Sequence, residues 1–310
     1  MHGKSRSLIY VVPGILAVVF YFSLPSAAQA QDFEGLIEQL GVQELARDYL
    51  RPGVDAVGYS INSGFSHTAN VDTLFHVWIG AKIISTFIPE LDRTFTAKLP
   101  ALLVEQGYPV EFQTATVVGG EGATISSQNS SNPPITFPDG TGLNSFLIAM
   151  PQISFGPIVG TDIILRGLPP SSFDDKVGKF SFYGAGLKHE MTHYLDVPFD
   201  LALVAGYQQF TIGDVVDGNS LAGMLQAGKE FGGLTFFGGI GYESYNIDMT
   251  YTSADGVQGL PSQTISLNFH RRNLRFTVGS ALSLFSLMDI TAEYSFGIQD
   301  NLVIGLGLTI

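Results

Sequence analysis

The chain has 310 residues, a formal net charge of −13 and no cysteine, and only 14% of its residues are charged, while it carries 36 Gly, 23 Phe and 12 Tyr. Without cysteine it has no disulfide and no site for N-terminal lipid attachment, and its acidic balance argues against nucleic acid as a partner. Stability has to come from burial and hydrogen bonding, in a chain that is apolar on average yet poor in charge.

Residues 1–30 read as a secretory signal peptide. Lys4 and Arg6 start it, "LIYVVPGILAVVFYFSL" supplies its apolar stretch, and Ala28-Gln29-Ala30 forms a small-x-small cleavage site. Its removal leaves 13 Lys+Arg against 28 Asp+Glu, a charge of −15. Next, residues 31–52 are expected to hold an amphipathic helix, with Leu36, Ile37, Leu40, Leu45, Tyr49 and Leu50 near helical spacing and Pro52-Gly53 as the stop.

Beyond residue 53 the period changes to two. In "TLFHVWIGAKIISTF" Phe75, Val77, Ile79, Ala81 and Ile83 oppose His76, Trp78, Gly80 and Lys82. The same split recurs in "FDLALVAGYQQ", "RFTVGSALSL" and "MDITAEYSF", and at the C-terminus, where Leu302, Ile304, Leu306, Leu308 and Ile310 share one face. The pattern covers 54–65, 73–88, 145–156, 158–168, 179–190, 198–212, 218–230, 233–251, 263–270, 274–285, 287–296 and 301–310. That predicts about 12 antiparallel strands, within a range of 10–14.

The polar faces of these strands are rich in Gly, Ala, Ser and Thr, which suits the inside of a closed barrel better than the wet outer face of a sandwich. The expected fold is therefore all-β: an antiparallel transmembrane β-barrel over 53–310. Phe65, Phe87, Phe199, Phe210, Tyr242, Tyr245 and Tyr294 fall near strand ends, where interfacial girdles form. Residues 90–144 break the rule. "LPALLVEQGYPVEFQTATVVGG" predicts a short helix or two more strands, and 119–144 a Gly/Ser/Asn-rich loop, either outward or folded into the lumen as a hatch.

The signal peptide, the helix, the hairpin "GVDAVGYSINSGFSHTANVDTLFHVWIGAKI", the centre "FYGAGLKHEMTHYLDVPFDLALVAGYQQF" and the C-terminal strand together resemble a bacterial outer-membrane β-barrel protein of an uncharacterised family. More loosely, the combination of an N-terminal helix with a barrel is similar to long-chain fatty acid (FadL-like) transporters. The chain departs from such barrels in ending on Ile310 rather than Phe or Trp. The resemblance implies a cell outer membrane location, with outer-membrane lipid, lipopolysaccharide and the barrel-assembly machinery as partners. It also implies a non-enzymatic role: either passage or binding of a small, apolar solute, or a structural one. No cofactor is expected.

"HEMTH" at 189–193 matches the H-E-x-x-H pattern of zinc peptidases. The match requires a helix, which places both imidazoles one turn apart; on a strand they stand about 13 Å apart. "FSFYGAGLKHE" alternates and carries Gly184 and Gly186, and the extended pattern would place Gly at Asp196 and His at Phe199. No catalytic or metal-ligating residue is therefore assigned; the zinc alternative would use His189 and His193 as ligands with Glu190 as base, in a secreted hydrolase. A soluble β-sandwich binding module is the third alternative.

By strand parity the lumen candidates are His76, Lys82, Asp162, Arg166, Lys188, Glu190, Asp200, Arg275, Asp289 and Glu293. "HRRNLR", 270–275, is the one basic cluster; it reads as a charged hairpin turn or as a site for lipopolysaccharide or phosphate.

Overall fold

The structure, a computed structural model, describes residues 43–65, 68–71, 74–174, 178–195, 197–252, 264–285 and 287–310. The signal peptide and residues 31–42 of the expected helix lie outside them.

A helix, α1 (Gln43–Ile61), precedes the first barrel strand, β1 (His76–Phe87). A long connection follows. It carries β2 (Thr94–Lys98), α2 (Ala101–Glu105), β3 (Glu111–Ala115), β4 (Thr124–Ile125) and β5 (Ile135–Thr136), paired as two small hairpins. Nine strands then run to the end: β6 (Ser145–Gly156), β7 (Thr161–Asp174), β8 (Gly178–Glu190), β9 (Asp200–Ile212), β10 (Val216–Phe231), β11 (Leu234–Thr252), β12 (Thr264–Leu284), β13 (Met288–Phe296) and β14 (Asn301–Thr309).

Each strand pairs antiparallel with the next, and β1 closes the sheet by pairing both β6 and β14, in the order β1-β14-β13-β12-β11-β10-β9-β8-β7-β6. The barrel has ten strands, not twelve. Two expectations account for the difference. Residues 54–65 belong to α1 and the chain just after it, and 263–270 and 274–285 are one continuous strand, β12. "HRRNLR" is accordingly strand interior, not a turn: Arg271 pairs with Tyr245 and Arg275 with Gly241 of β11.

Helix α1 runs past Pro52, because the barrel rather than the local sequence decides where it ends. Its second half is buried almost all round, at Val54, Asp55, Ala56, Gly58, Tyr59, Ser60 and Ile61. A helix enclosed in a partly polar lumen needs no apolar stripe, so it leaves no 3.6-residue signature. Ser60 and Ser63 turn their hydroxyls back onto the helix, donating to the Ala56 carbonyl at 2.7 Å and the Tyr59 carbonyl at 2.9 Å.

The two faces of the barrel differ as alternation demands. Outside stand Ile79, Ile83, Leu203, Leu225, Ile240, Leu274, Val278, Leu306 and Leu308, all exposed. Inside, α1 fills one end, packing Ala56, Tyr59 and Ile61 against Ile84, Met150, Phe182, Phe210, Ile247, Phe269 and Val303. The connection 88–144 sits over that same end with its own core, Ala97, Leu99, Tyr108, Ile125 and Phe137, into which Leu45 of α1 inserts. The opposite end carries Ile310 and the links β6–β7, β8–β9, β10–β11 and β12–β13, none longer than the nine residues of β8–β9.

Aromatic residues divide between the faces. Phe87, Phe199 and Tyr242 are exposed, whereas Phe65, Phe210 and Tyr245 are at most 5% exposed and point inward, so these three are not girdle residues. The small residues of the inner face make room for such rings. A Cβ on Gly206 would sit 2.2 Å from Phe65 Cζ, and one on Gly307 2.2 Å from Trp78 Cε2. Alternating small and large side chains fill the lumen instead of leaving it open.

Candidate functional site

The lumen holds α1 and the residues just after it, and its charged side chains bind them. Helix α1 ends at Ile61 with its last carbonyls and the negative end of its dipole pointing down the barrel. Two strand arginines meet it. Arg166 Nη1 donates to the Ser63 carbonyl at 2.9 Å and the Ile61 carbonyl at 3.4 Å, with Nε held by Gln152 Oε1 at 2.8 Å. Arg275 Nη1 donates to Ser63 Oγ at 2.8 Å and Nη2 to the Tyr59 carbonyl at 3.1 Å, while Glu243 Oε2 lies 2.8 Å away. Gln208 Nε2 also donates to the Ile61 carbonyl. The Arg166 guanidinium then covers the Phe65 ring, 4.0 Å from its centroid.

Further down, Lys82 Nζ donates to Thr291 Oγ1 at 3.0 Å and stands 5.3 Å from the Trp78 ring centroid. Near the short-turn end, Lys188 Nζ lies 2.9 Å from Asp162 Oδ2 and donates to the Asn70 carbonyl at 2.7 Å. His76 Nε2 is 3.9 Å from the same carboxylate. The cavity beside Phe65 and Asn62 is only about 30 Å³, the size of a water site.

Of the ten lumen candidates, Lys82, Asp162, Arg166, Lys188, Arg275, Asp289 and Glu293 are buried side chains of the inner face. His76, Glu190 and Asp200 are half-buried at the short-turn rim. Asp289 accepts from Ser283 at 2.6 Å and from Thr309, and Glu293 accepts from Ser295 at 3.3 Å. Parity does not mark Glu243, Gln152 and Gln208 as anchors for the plug. Their residue types blend into the polar face, and the helix end they serve is invisible in the sequence.

"HEMTH" is split between elements. His189 and Glu190 close β8, while Thr192–Tyr194 form a single 3-10 turn. His189 Nδ1 is 2.8 Å from Thr161 Oγ1 and its Nε2 3.2 Å from the Tyr194 hydroxyl. Among the described residues no group of three or more His, Asp or Glu is gathered in a way that could hold a metal.

Two larger cavities flank α1 at the long-loop end. One, about 150 Å³, is lined by Leu50, Val54 and Val57 of the helix, Val117 and Leu143 of the connection, and Phe210, Ile212, Val216, Ile247 and Met249 of β9–β11; Thr141 is its one polar lining residue. The other, about 360 Å³, is lined by Arg47, Arg51, Asp55, Tyr245, Asn268, Phe269, His270 and Arg271. Asp55 accepts from the Tyr245 hydroxyl. Burial raises the Asp55 pKa above its ordinary 3.8, against the opposing pull of that hydrogen bond and of Arg271. Tyr49, whose hydroxyl donates to the Asp139 carbonyl at 2.8 Å, is pushed up to about 12 by burial and by the Asp139 charge.

The family model for DUF6588, a family of unknown function, matches residues 9–310. The chain belongs to that family. No curated protein matches it. Among solved structures, the outer membrane protease OmpT from Escherichia coli is similar at 10% identity and a TM-score of 0.35, over 80% of this chain and 99% of OmpT. The translocator domain of the autotransporter NalP from Neisseria meningitidis is similar at 12% identity and a TM-score of 0.33, over 85% and 99%. The N-terminal β-barrel domain of OprF from Pseudomonas aeruginosa is similar at 12% identity and a TM-score of 0.27, over 49% and 98%.

Proposed function

We propose that this DUF6588 chain is an exported, non-enzymatic outer-membrane barrel, plugged by its own N-terminal segment, that binds a small apolar solute at its long-loop mouth. The band of exposed Leu, Ile, Val and Phe around a closed, even-numbered antiparallel barrel supports the membrane reading, since such a surface is stable against lipid and not against water. Short turns ordinarily face the periplasm and long loops the outside, which sets the connection 88–144 and the α1 end outward.

One observation carries the binding reading: the 150 Å³ cavity between α1 and β9–β11, whose wall is apolar but for Thr141. A solute there would exchange water for Val54, Val57, Ile247 and Met249, at roughly 25 cal/mol per Å² of apolar surface covered. Onward passage would require the Arg166 and Arg275 contacts to release residues 59–65.

The single tryptophan, Trp78, lies buried near the other end of the barrel and serves as an internal reference. In the Met249→Trp variant, a brominated short alkane should quench the introduced indole saturably and leave Trp78 unaffected. Linear quenching equal to that of the outward-facing control Leu221→Trp would refute the binding reading. Heat-dependent gel mobility of the membrane fraction tests the barrel itself, and native protein recovered in a carbonate wash would count against it.

A further inference from the structure

The polar cavity on the other side of α1 has a separate chemistry. Arg47 and Arg51 stand one helical turn apart, and Arg271 reaches the same space from the inner face of β12. Three of the chain's 15 Lys+Arg therefore converge on one cavity in a protein of net charge −13.

Their local partners do not consume this charge. Arg51 Nη2 is held by Asp48 at 2.9 Å, a contact that orients it. Arg271 Nε is 3.7 Å from Asp55 Oδ1, too far for a good hydrogen bond, and that carboxylate already accepts from Tyr245. Arg47 Nε is buried with no hydrogen-bond partner among the described residues. A guanidinium N–H withdrawn from water and left unmatched costs free energy that an oxygen ligand recovers.

We propose that this cavity binds a soluble phosphate-type oxyanion, either inorganic phosphate or a small phosphomonoester, between α1 and the inner wall of β11–β12. Guanidinium forks match the spread oxygens of a phosphate, and Arg47, Arg51 and Arg271 offer several at once. Asn268 and His270 border the cavity from β12, their side chains held on the outer face by Asp248 at 2.6 Å and Asn246 at 2.5 Å. About 360 Å³ exceeds what a bare ion needs and is within the range of small-molecule sites, so a sugar-sized monoester also fits. A lipid headgroup is the less suitable source, because Arg271 faces inward, toward Arg47 and Arg51 of the helix, while its neighbour Arg272 takes the outer face.

The test is calorimetric titration of the full chain in nanodiscs with inorganic phosphate, with glycerol phosphate, and with phosphatidic acid placed in the disc. Saturable binding of either soluble probe is expected, weakened about tenfold or more by Arg47→Gln and by Arg271→Gln. Lys229→Gln, near the β10–β11 link at the opposite end of the barrel, should leave it unchanged, and Asp55→Asn, which removes a like charge, should tighten it. Assembly of each variant is checked by heat-dependent mobility, and Arg47→Lys replaces any that fails. Absence of saturable binding, binding indifferent to the Arg47 and Arg271 changes, or a response to phosphatidic acid alone would overturn the proposal.

Discussion

Arg275 on β12 and Glu243 on β11 form a buried ion pair of 2.8 Å whose guanidinium also holds the Ser63 hydroxyl and the Tyr59 carbonyl. The pair ties the barrel wall to the end of the plug helix. Removing one partner leaves the other charge buried and uncompensated, which typically costs about 3–5 kcal/mol. Arg275→Met should therefore lower the heat-mobility midpoint sharply, and the double variant Arg275→Met with Glu243→Met should recover much of that loss. If the double variant is as unstable as the single one, the loss comes from the broken plug contacts and not from a charge left uncompensated.

Removing both arginines from the helix end should loosen the plug itself. Wild-type protein in planar bilayers is expected to conduct poorly, because residues 59–65 and 68–71 occupy the lumen and the cavity beside Phe65 is about 30 Å³. The variant Arg166→Ala with Arg275→Ala should show frequent openings. Equal conductance in the two would mean that the Ser63 and Ile61 carbonyl contacts do not hold the lumen shut.

Gly307 faces the Trp78 ring at a distance no side chain allows, with the added Cβ 2.2 Å from Cε2. Gly307→Val should overpack this layer at a cost of about 1–3 kcal/mol. Adding Trp78→Ala should restore the thermal midpoint toward wild type, and a failure to do so would locate the strain elsewhere.

On the outer face, Ile240→Arg and Leu306→Arg should each cost up to ~2–4 kcal/mol if the residue lies near mid-bilayer. Folding yield into vesicles measures this. Thr277→Arg, on the buried inner face, would by contrast report the tightness of the lumen, so the comparison separates lipid exposure from packing.

Asp55 gives a pH dependence whose sign is fixed. Burial, its largest influence, raises its pKa above 3.8, with a further rise from Asp92; Tyr245, Arg271 and Arg51 pull it back. Folding therefore takes up a proton: the contribution of this group to stability is complete below 3.8 and is lost as pH climbs through the raised value. Asp55→Asn should flatten the fall in thermal midpoint above about pH 4. An unchanged slope would show that Asp55 ionises freely in the folded protein.

By itself the sequence determined the alternation, and alternation is a local property. Leu302, Ile304, Leu306 and Leu308 fall on one face and Val303, Gly305 and Gly307 on the other whatever the strand pairs with, so the two-faced sheet, most strand positions and the inner face of Lys82, Arg166 and Arg275 were readable from parity. It also marked "HEMTH" as lacking a helix, since Gly184 and Gly186 in an alternating run favour the strand. Tertiary structure decided the rest, because the deciding contacts join residues far apart in the chain. Pro52-Gly53 reads locally as a stop, yet α1 continues because the lumen surrounds it and Arg166 and Arg275, more than 100 residues away, receive its end. The inward turn of Phe65, Phe210 and Tyr245 follows from the same filling of space, with glycines such as Gly206 leaving room for a ring from another segment. "HRRNLR" looks like a turn by charge alone; only pairing with β11 over 19 residue pairs makes it part of one long strand and aims Arg271 at Arg47 and Arg51 across the mouth.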